Sequence, residues 1–312
     1  MEKQGKAQDC EVSIVILTKN EATNVGLCLD SIFAQEYQGE FEVLVIDSGS
    51  EDGTLEIVRG YPVTLVEIPR EEFSHGGTRN LGASLGQGQY IVYITADAFA
   101  ADAYWLRNLT ARLDRPEVAG VYGRQIPKED ASPVERFMLG YLYGPQKRVQ
   151  AWEEGEVVDI DLTWFSDVNS VVRKSVWQDY NFAEDLIMSE DQEWAKRVLL
   201  GGHLIVYEPE AAVFHSHNYS LGRLFRRNFD SAHSLRRITE DHVSNIIGHG
   251  LRYIAEEMVF LTCEGLWYMI PYALLYETCR AFGFLAGRYG HLLPLPLRKR
   301  LSLYRQYWNR IG

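Results

Sequence analysis

The sequence predicts an α/β protein, with a mixed, mostly parallel sheet covered by helices on both faces and a helical carboxyl-terminal extension. Three observations lead there. From residue 12 to residue 122, short apolar runs alternate with segments of helical periodicity. Two of those runs pass directly into polar turns, Thr18-Lys-Asn-Glu21 and Asp47-Ser-Gly-Ser50, each followed by a helical stretch. Both turns therefore leave the sheet at the carboxyl ends of its strands, the edge where open α/β sheets bind ligands.

Residues 12–17 read as a buried strand. Residues 20–33 read as a helix whose apolar face is Val25, Leu27, Leu29, Ile32 and Phe33. Residues 41–46 form the second strand, and Asp52 caps a short helix that runs to Arg59. Residues 62–68 are a third strand. Residues 74–80 are a loop that enters a helix over 81–85. A fourth strand over 89–95 ends in Ala96-Asp97-Ala98. A helix over 103–113 and a strand over 118–122 follow. Periodicity is poor from 124 to 161, apart from a short helix around 134–143. Residues 168–173 are a short strand or turn, and 191–200 a helix stopped by Gly201-Gly202. Residues 204–207 and 211–214 are two short strands leading into His215-Ser-His217. Residues 1–225 thus form a catalytic-type domain, and 226–312 a helical, basic extension.

Composition excludes several classes. The first eleven residues are polar, with no apolar stretch after a charged start, so no signal peptide is expected. The four cysteines are widely spaced and lack metal spacing, which reads as a reducing cytoplasm without disulfides. The net charge of -12 is unevenly spread. Residues 226–312 hold 12 Lys/Arg against 7 Asp/Glu, whereas residues 1–225 hold 19 against 36. An acidic body argues against nucleic acid as a partner, and a basic tail suits an anionic membrane surface.

Five constellations carry chemistry. The two turns present Thr18, Asn20, Glu21, Asp47 and Ser48, a polar crevice suited to a base and ribose. No Gly-x-Gly-x-x-Gly follows the first strand, which disfavours a dinucleotide dehydrogenase. Asp97, after Ala96, either caps a turn or faces a diphosphate through Mg2+ or Mn2+. Glu190 and Asp191 are either helix-start charge or a general base for a hydroxyl. His215 and His217, two apart on extended backbone, share one face; one of them joining Asp97 on a divalent ion competes with a hydrogen-bonded surface pair. Arg79, near a helix start after two glycines, is either a diphosphate partner or an ordinary surface arginine.

Taken together, Ile16-Leu-Thr-Lys-Asn-Glu21, Val45-Ile-Asp-Ser-Gly-Ser-Glu-Asp-Gly-Thr54, Thr78-Arg-Asn-Leu-Gly82, Thr95-Ala-Asp97 and Glu190-Asp191 resemble the family 2 glycosyltransferases of the inverting GT-A fold. The His-Gly-Gly-Thr-Arg-Asn, Ser-Glu-Asp-Gln-Glu-Trp and His-Ser-His-Asn-Tyr-Ser stretches are similar to those of rhamnosyltransferase-type enzymes of bacterial surface polysaccharide assembly. The resemblance covers residues 12–225 well and the tail loosely. It implies that Thr18, Glu21 and Asp47, with Asn20, Ser48 and Ala96 around them, hold the nucleotide sugar. It further implies that Arg79 contacts the diphosphate, that Asp97 with His215 or His217 binds the metal, and that Asp191 deprotonates the acceptor hydroxyl. Two positions depart from the family pattern: its Asp-x-Asp reads Thr95-Ala-Asp97, and its second Asp after the second strand is Ser48.

The expected substrates are a nucleoside-diphosphate sugar donor and a saccharide or lipid-linked acceptor, used at the cytoplasmic side of a membrane. The tail mixes basic and aromatic positions over residues 296–310. It reads either as a membrane-surface helix, with Tyr304 and Trp308 at the headgroup level, or as packing on the catalytic domain or a second subunit. A polyprenyl-phosphate glycosyltransferase and a non-catalytic nucleotide-sugar scaffold are the competing functions.

Overall fold

A computed structural model describes residues 10–240 and 243–310. The stretch behind the signal-peptide expectation lies largely outside the described residues. The elements run β1 (Val12–Thr18), α1 (Val25–Phe33), β2 (Phe41–Asp47), α2 (Thr54–Val58), β3 (Thr64–Glu67), α3 (His75–Leu85), β4 (Tyr90–Thr95), β5 (Phe99–Ala100) and α4 (Trp105–Thr110). They continue with β6 (Val118–Ile126), α5 (Pro133–Leu142), β7 (Arg148–Gln150), β8 (Asn169–Arg173), α6 (Lys174–Asp179), α7 (Glu190–Leu200) and β9 (Leu204–Phe214). The carboxyl-terminal part holds α8 (Leu221–Leu235), α9 (Val243–Cys263), α10 (Ile270–Arg288), α11 (Leu295–Leu301) and α12 (Tyr307–Arg310).

The strands join in one sheet in the order β3-β2-β1-β4-β8-β6-β9-β5, with β7 also paired to β9. β3, β2, β1, β4, β6 and β9 run one way, while β8, β5 and β7 run against them. Strand alternation sends Val12, Ile14 and Ile16 of β1 to one face, packed with Val25, Leu29 and Ile32 of α1 and Trp105 and Leu109 of α4. Val15 points to the other face, with Ala83 of α3 and Trp194 and Val198 of α7. Both faces are thus buried, as a largely parallel sheet requires.

Three departures from the expected elements bear on function. The helix expected from residue 20 begins only at Val25, because Asn20 sits at φ 54° and breaks the helical path. The loop expected over 74–80 is already helix: Ser74 caps α3 by accepting from the Gly77 amide. The two strands expected over 204–207 and 211–214 are one strand, β9, whose register against β6 shifts after Glu208, beside Pro209. β8 is antiparallel between β4 and β6, with Ile94 opposite Asn169. It therefore starts where its neighbours end. Residues preceding β8 join the ends of β1, β2, β4, β6 and β9 at a single sheet edge.

The extension is not a separate flap. α8 runs across the boundary expected at residue 225 and packs along α10. Gly283 and Gly287 make that contact close, since a Cβ on either would lie 2.6 Å from the Phe225 carbonyl oxygen or 2.1 Å from that of Phe229. Of the two readings of the tail, packing holds for Trp308: it is fully buried, against Phe229 and the ring of His233. Asp230 explains why the chain turns inward there: its carboxylate accepts from the backbone amides of Leu303 and Tyr304 at 2.8 and 3.1 Å. Arg310 then reaches back and donates to the Phe73 carbonyl at 3.1 Å. Exposed apolar side chains gather instead on α9, α10 and the turns beside them, including Val259, Trp267, Tyr268, Leu275, Phe282 and Leu292. Among the described residues, no helix is long and apolar enough to cross a membrane.

Candidate active site

The end of β4 and the end of β9 bring Asp97, His215 and His217 together. His215 Nε2 lies 3.6 Å from one Asp97 oxygen and His217 Nε2 lies 3.5 Å from the other. Three ligand atoms, one from each residue, fall within 4.8 Å of one another. Such spacing suits a divalent cation bound at about 2.0–2.2 Å. The histidine tautomer supports the same reading. Gln125 uses its amide NH2 to donate to Tyr143 Oη at 2.7 Å and Ser166 Oγ at 3.1 Å. Its oxygen is therefore the acceptor for His215 Nδ1–H at 2.9 Å, which leaves the Nε2 lone pair facing Asp97. A lone pair beside a carboxylate is an arrangement that a cation relieves. Burial drives His217 down to about 3, reinforced by the charge of His215, so its ring is neutral and ligand-competent at neutral pH.

The first two turns are bound to each other. The Asn20 amide donates to Ser50 Oγ at 2.8 Å, and the Asn20 side-chain oxygen accepts from the Glu51 amide at 2.9 Å. The amides of Glu21 and Ala22 donate to Thr54 and Asp52. Asp47 is buried and already engaged: Oδ1 accepts from the amides of Gly49 and Ser50, and Oδ2 from the Ser50 hydroxyl at 2.5 Å. Ser48, also buried, donates its amide to the Thr18 carbonyl at 3.1 Å. Thr18 Oγ1 is buried without a partner. Glu21 accepts from Asn24 at 2.8 Å. Burial raises its pKa, and the charge of nearby Asp97 adds to the rise. Ala96 is buried behind Asp97.

A third group lies at the start of α7. Arg79, from α3, is buried; its Nε sits 3.0 Å from Asp167, and its Nη1 pairs with Glu190. The guanidinium is thus committed to two carboxylates behind the crevice, a different setting from the surface or diphosphate roles expected of it. Of the adjacent acids, Glu190 is buried, whereas Asp191 is only partly buried. Asp191 accepts from the amides of Gln192 at 2.9 Å and Asp167 at 3.3 Å. Burial raises its pKa and Glu190 adds to the rise, with Arg79 opposing. Ser189, at φ 65°, supplies the left-handed turn immediately before this pair.

Sequence reasoning missed Gln125 and Asp167. Gln125 lies in the stretch of poor periodicity and Asp167 directly before the strand or turn read over 168–173; their signal is position, since each sits at a strand end on the site-bearing edge. Of the aromatics near this edge, Phe165 and Trp194 are core, and Trp152 and Trp164 are partly buried against that core.

The match to known proteins follows this geometry. The family model described as Glycosyl transferase family 2 matches residues 13–174, from β1 to the start of α6. The chain is 31% identical over 306 residues to the O-antigen chain rhamnosyltransferase RfbN of Salmonella typhimurium, covering 96% of this chain and 97% of that protein. It is 31% identical over 283 residues to the O-antigen chain rhamnosyltransferase WbaN of Salmonella anatum, covering 89% and 90%. Among solved structures, the mannosyltransferase PcManGT of Pyrobaculum calidifontis, in complex with GDP-Man and Mn2+, superposes with a TM-score of 0.54 at 20% identity, over 96% of this chain and 84% of that one. The fold is thus GT-A. The chain belongs to glycosyl transferase family 2 and is a glycosyltransferase.

Proposed function

We propose that this enzyme transfers rhamnose from a nucleoside-diphosphate donor to a hydroxyl of a growing surface polysaccharide, with inversion at the anomeric carbon. The observation that carries the reading is the continuity of the site. Asp191 is tied through the Asp167 amide to the segment whose Ser166 holds Gln125, and Gln125 orients His215 against Asp97. A base for the acceptor and ligands for the leaving group are therefore built as one unit. Two Salmonella relatives that carry rhamnosyltransferase names over nearly their whole length support the choice of sugar.

Asp97, His215 and His217 would hold Mg2+ or Mn2+, which neutralises charge on a departing diphosphate. Thr18, Asn20, Glu21, Asp47 and Ser48 shape the nucleotide side, with Asp47 holding its turn rather than offering free oxygens. Asp191 takes the acceptor proton as the hydroxyl oxygen attacks C1, and the bond from C1 to the β-phosphate oxygen breaks on the opposite side. Glu190 and Asp167, locked to Arg79, position the base. A base with a raised pKa favours a hydroxyl acceptor over a polyprenyl phosphate, which is already ionised.

We place the working position at the cytoplasmic face of a membrane, met through the exposed aromatic and aliphatic side chains of α9 and α10, with Arg298, Lys299 and Arg300 of α11 nearby in the chain. The test of the core proposal is calorimetric titration of UDP, dTDP, GDP and CMP, with and without Mn2+, on the parent chain and on Asp97→Ala. Metal-dependent binding of one nucleotide, lost in the variant, is the expected result, with dTDP favouring rhamnose. No binding to the folded parent chain would remove the enzyme reading in favour of a scaffold.

A further inference from the structure

With Arg79 committed to Asp167 and Glu190, the crevice needs another cation to meet the donor's phosphates. We propose that Arg223 and Arg227 of α8 form a two-armed clamp on the diphosphate of the donor. The inference rests on the nucleotide-sugar reading above and assigns a site to residues outside the matched family segment.

The two arginines are four positions apart and share one face of the helix. Their guanidinium carbons lie 5.4 and 5.6 Å from the centroid of the same ring, Tyr219. That ring stacks on His217 at 4.9 Å with 27° between planes, and His217 Nε2 faces Asp97 at 3.5 Å. A continuous stack thus leads from the cation ligands to the two arginines. Both are exposed, and neither has a carboxylate within ion-pair distance among the described residues. The charge of Arg227 is felt by both His217 and Asp191.

Two permanent charges without counter-ions, held by an aromatic ring beside a cation site, match an anion of more than one charge. A planar guanidinium suits phosphate oxygens, and two of them suit a diphosphate better than a monophosphate. As the C1–O bond breaks, its electron pair passes to the β-phosphate oxygen; hydrogen bonds from Arg223 and Arg227 stabilise the charge that arrives there. The acceptor oxygen forms the new bond to C1, its proton goes to Asp191, and the nucleoside diphosphate leaves intact.

The test is calorimetric titration in Mn2+ with UDP, dTDP and GDP, each paired with its monophosphate, on the parent chain and on Arg223→Gln, Arg227→Gln and Arg227→Lys, with the exposed Arg226→Gln as control. Melting curves establish that each variant is folded. The expected result for the diphosphate that binds best is a loss of about tenfold to a hundredfold in each Gln variant, the range of one charge-assisted hydrogen bond. Monophosphate binding should stay within about twofold, Arg227→Lys should fall between, and Arg226→Gln should match the parent. Unchanged diphosphate affinity in folded Arg223→Gln and Arg227→Gln overturns the clamp and leaves the donor reading standing. Equal losses for diphosphate and monophosphate also overturn it, since they indicate a general field. Failure of the parent chain to bind any diphosphate removes the donor reading and the clamp together.

Discussion

The amide oxygen of Gln125 accepts from His215 Nδ1 at 2.9 Å, while its amide nitrogen is held by Tyr143 and Ser166. One buried side chain thereby fixes which nitrogen of His215 is free to coordinate the proposed cation. Gln125→Leu should keep the fold yet lower Mn2+ affinity by about 10–100-fold, as removal of an outer partner of a metal ligand does elsewhere. Isothermal titration with Mn2+ checks this; an affinity equal to the parent's would mean that the tautomer is set by something else.

Asp191 is partly exposed and Glu190 is buried against Arg79. Asp191→Asn should reduce turnover by roughly 10²–10⁴-fold and leave donor affinity near the parent value. Steady-state kinetics beside nucleotide titration separates the two. A matching loss of donor affinity would assign Asp191 to binding.

The same carboxyl has a pKa raised from 3.8. A base works only when deprotonated, so turnover should rise with pH along an acid limb displaced above the ordinary aspartate range. A pH–kcat profile still flat down to pH 4 would contradict the assignment.

Trp308 is fully buried between α8 and the chain end. Trp308→Ala should cost about 3–5 kcal/mol of stability, the range for large aromatic truncations in cores, without changing vesicle flotation. By contrast, Trp267, Phe282 and Leu292 are exposed. Replacing these three by Ser should abolish flotation with anionic vesicles while the melting temperature holds. If the triple variant floats like the parent but changes oligomeric state in sedimentation, the face belongs to a second copy of the chain.

Glu257 is fully buried, and neither of its oxygens has a hydrogen-bond partner. Burial raises it from 4.5 to about 7, with Glu277 adding to the rise. A group with a raised folded pKa holds its proton longer in the native state. Stability from this site is therefore fully present below about pH 4.5 and is lost as pH rises through 7. Glu257→Gln should flatten the difference between melting temperatures at pH 5 and pH 8, an effect of roughly 3 kcal/mol at most. An unchanged pH dependence would locate the titrating group elsewhere.

Much of the catalytic half was legible because strand and turn signals there are local. The strand over 12–17, the turns at Thr18 and Asp47 and the stop at Gly201 all follow from neighbouring residues, and the structure has them. What was not legible depends on distant partners. Nothing near Arg79 announces that two carboxylates about ninety and more than a hundred residues away will claim it. The short strand or turn read over 168–173 gives no sign that it runs antiparallel and so carries Asp167 to the site edge. In the tail, amphipathic spacing located an apolar stripe but not what it faces. Trp308 is drawn inward by the turn that Asp230 stabilises, and the exposed stripe lies on other helices.

The tie between Arg310 and Phe73, the ring contact of Tyr304 with His75, and the hold of Asp230 on the chain end have an evolutionary corollary. The final helices are a strut of the catalytic wall and not an exchangeable module. Grafting them between relatives would remove these contacts with the start of α3, which carries Arg79, so such chimaeras are expected to lose stability at the catalytic wall as well as in the tail.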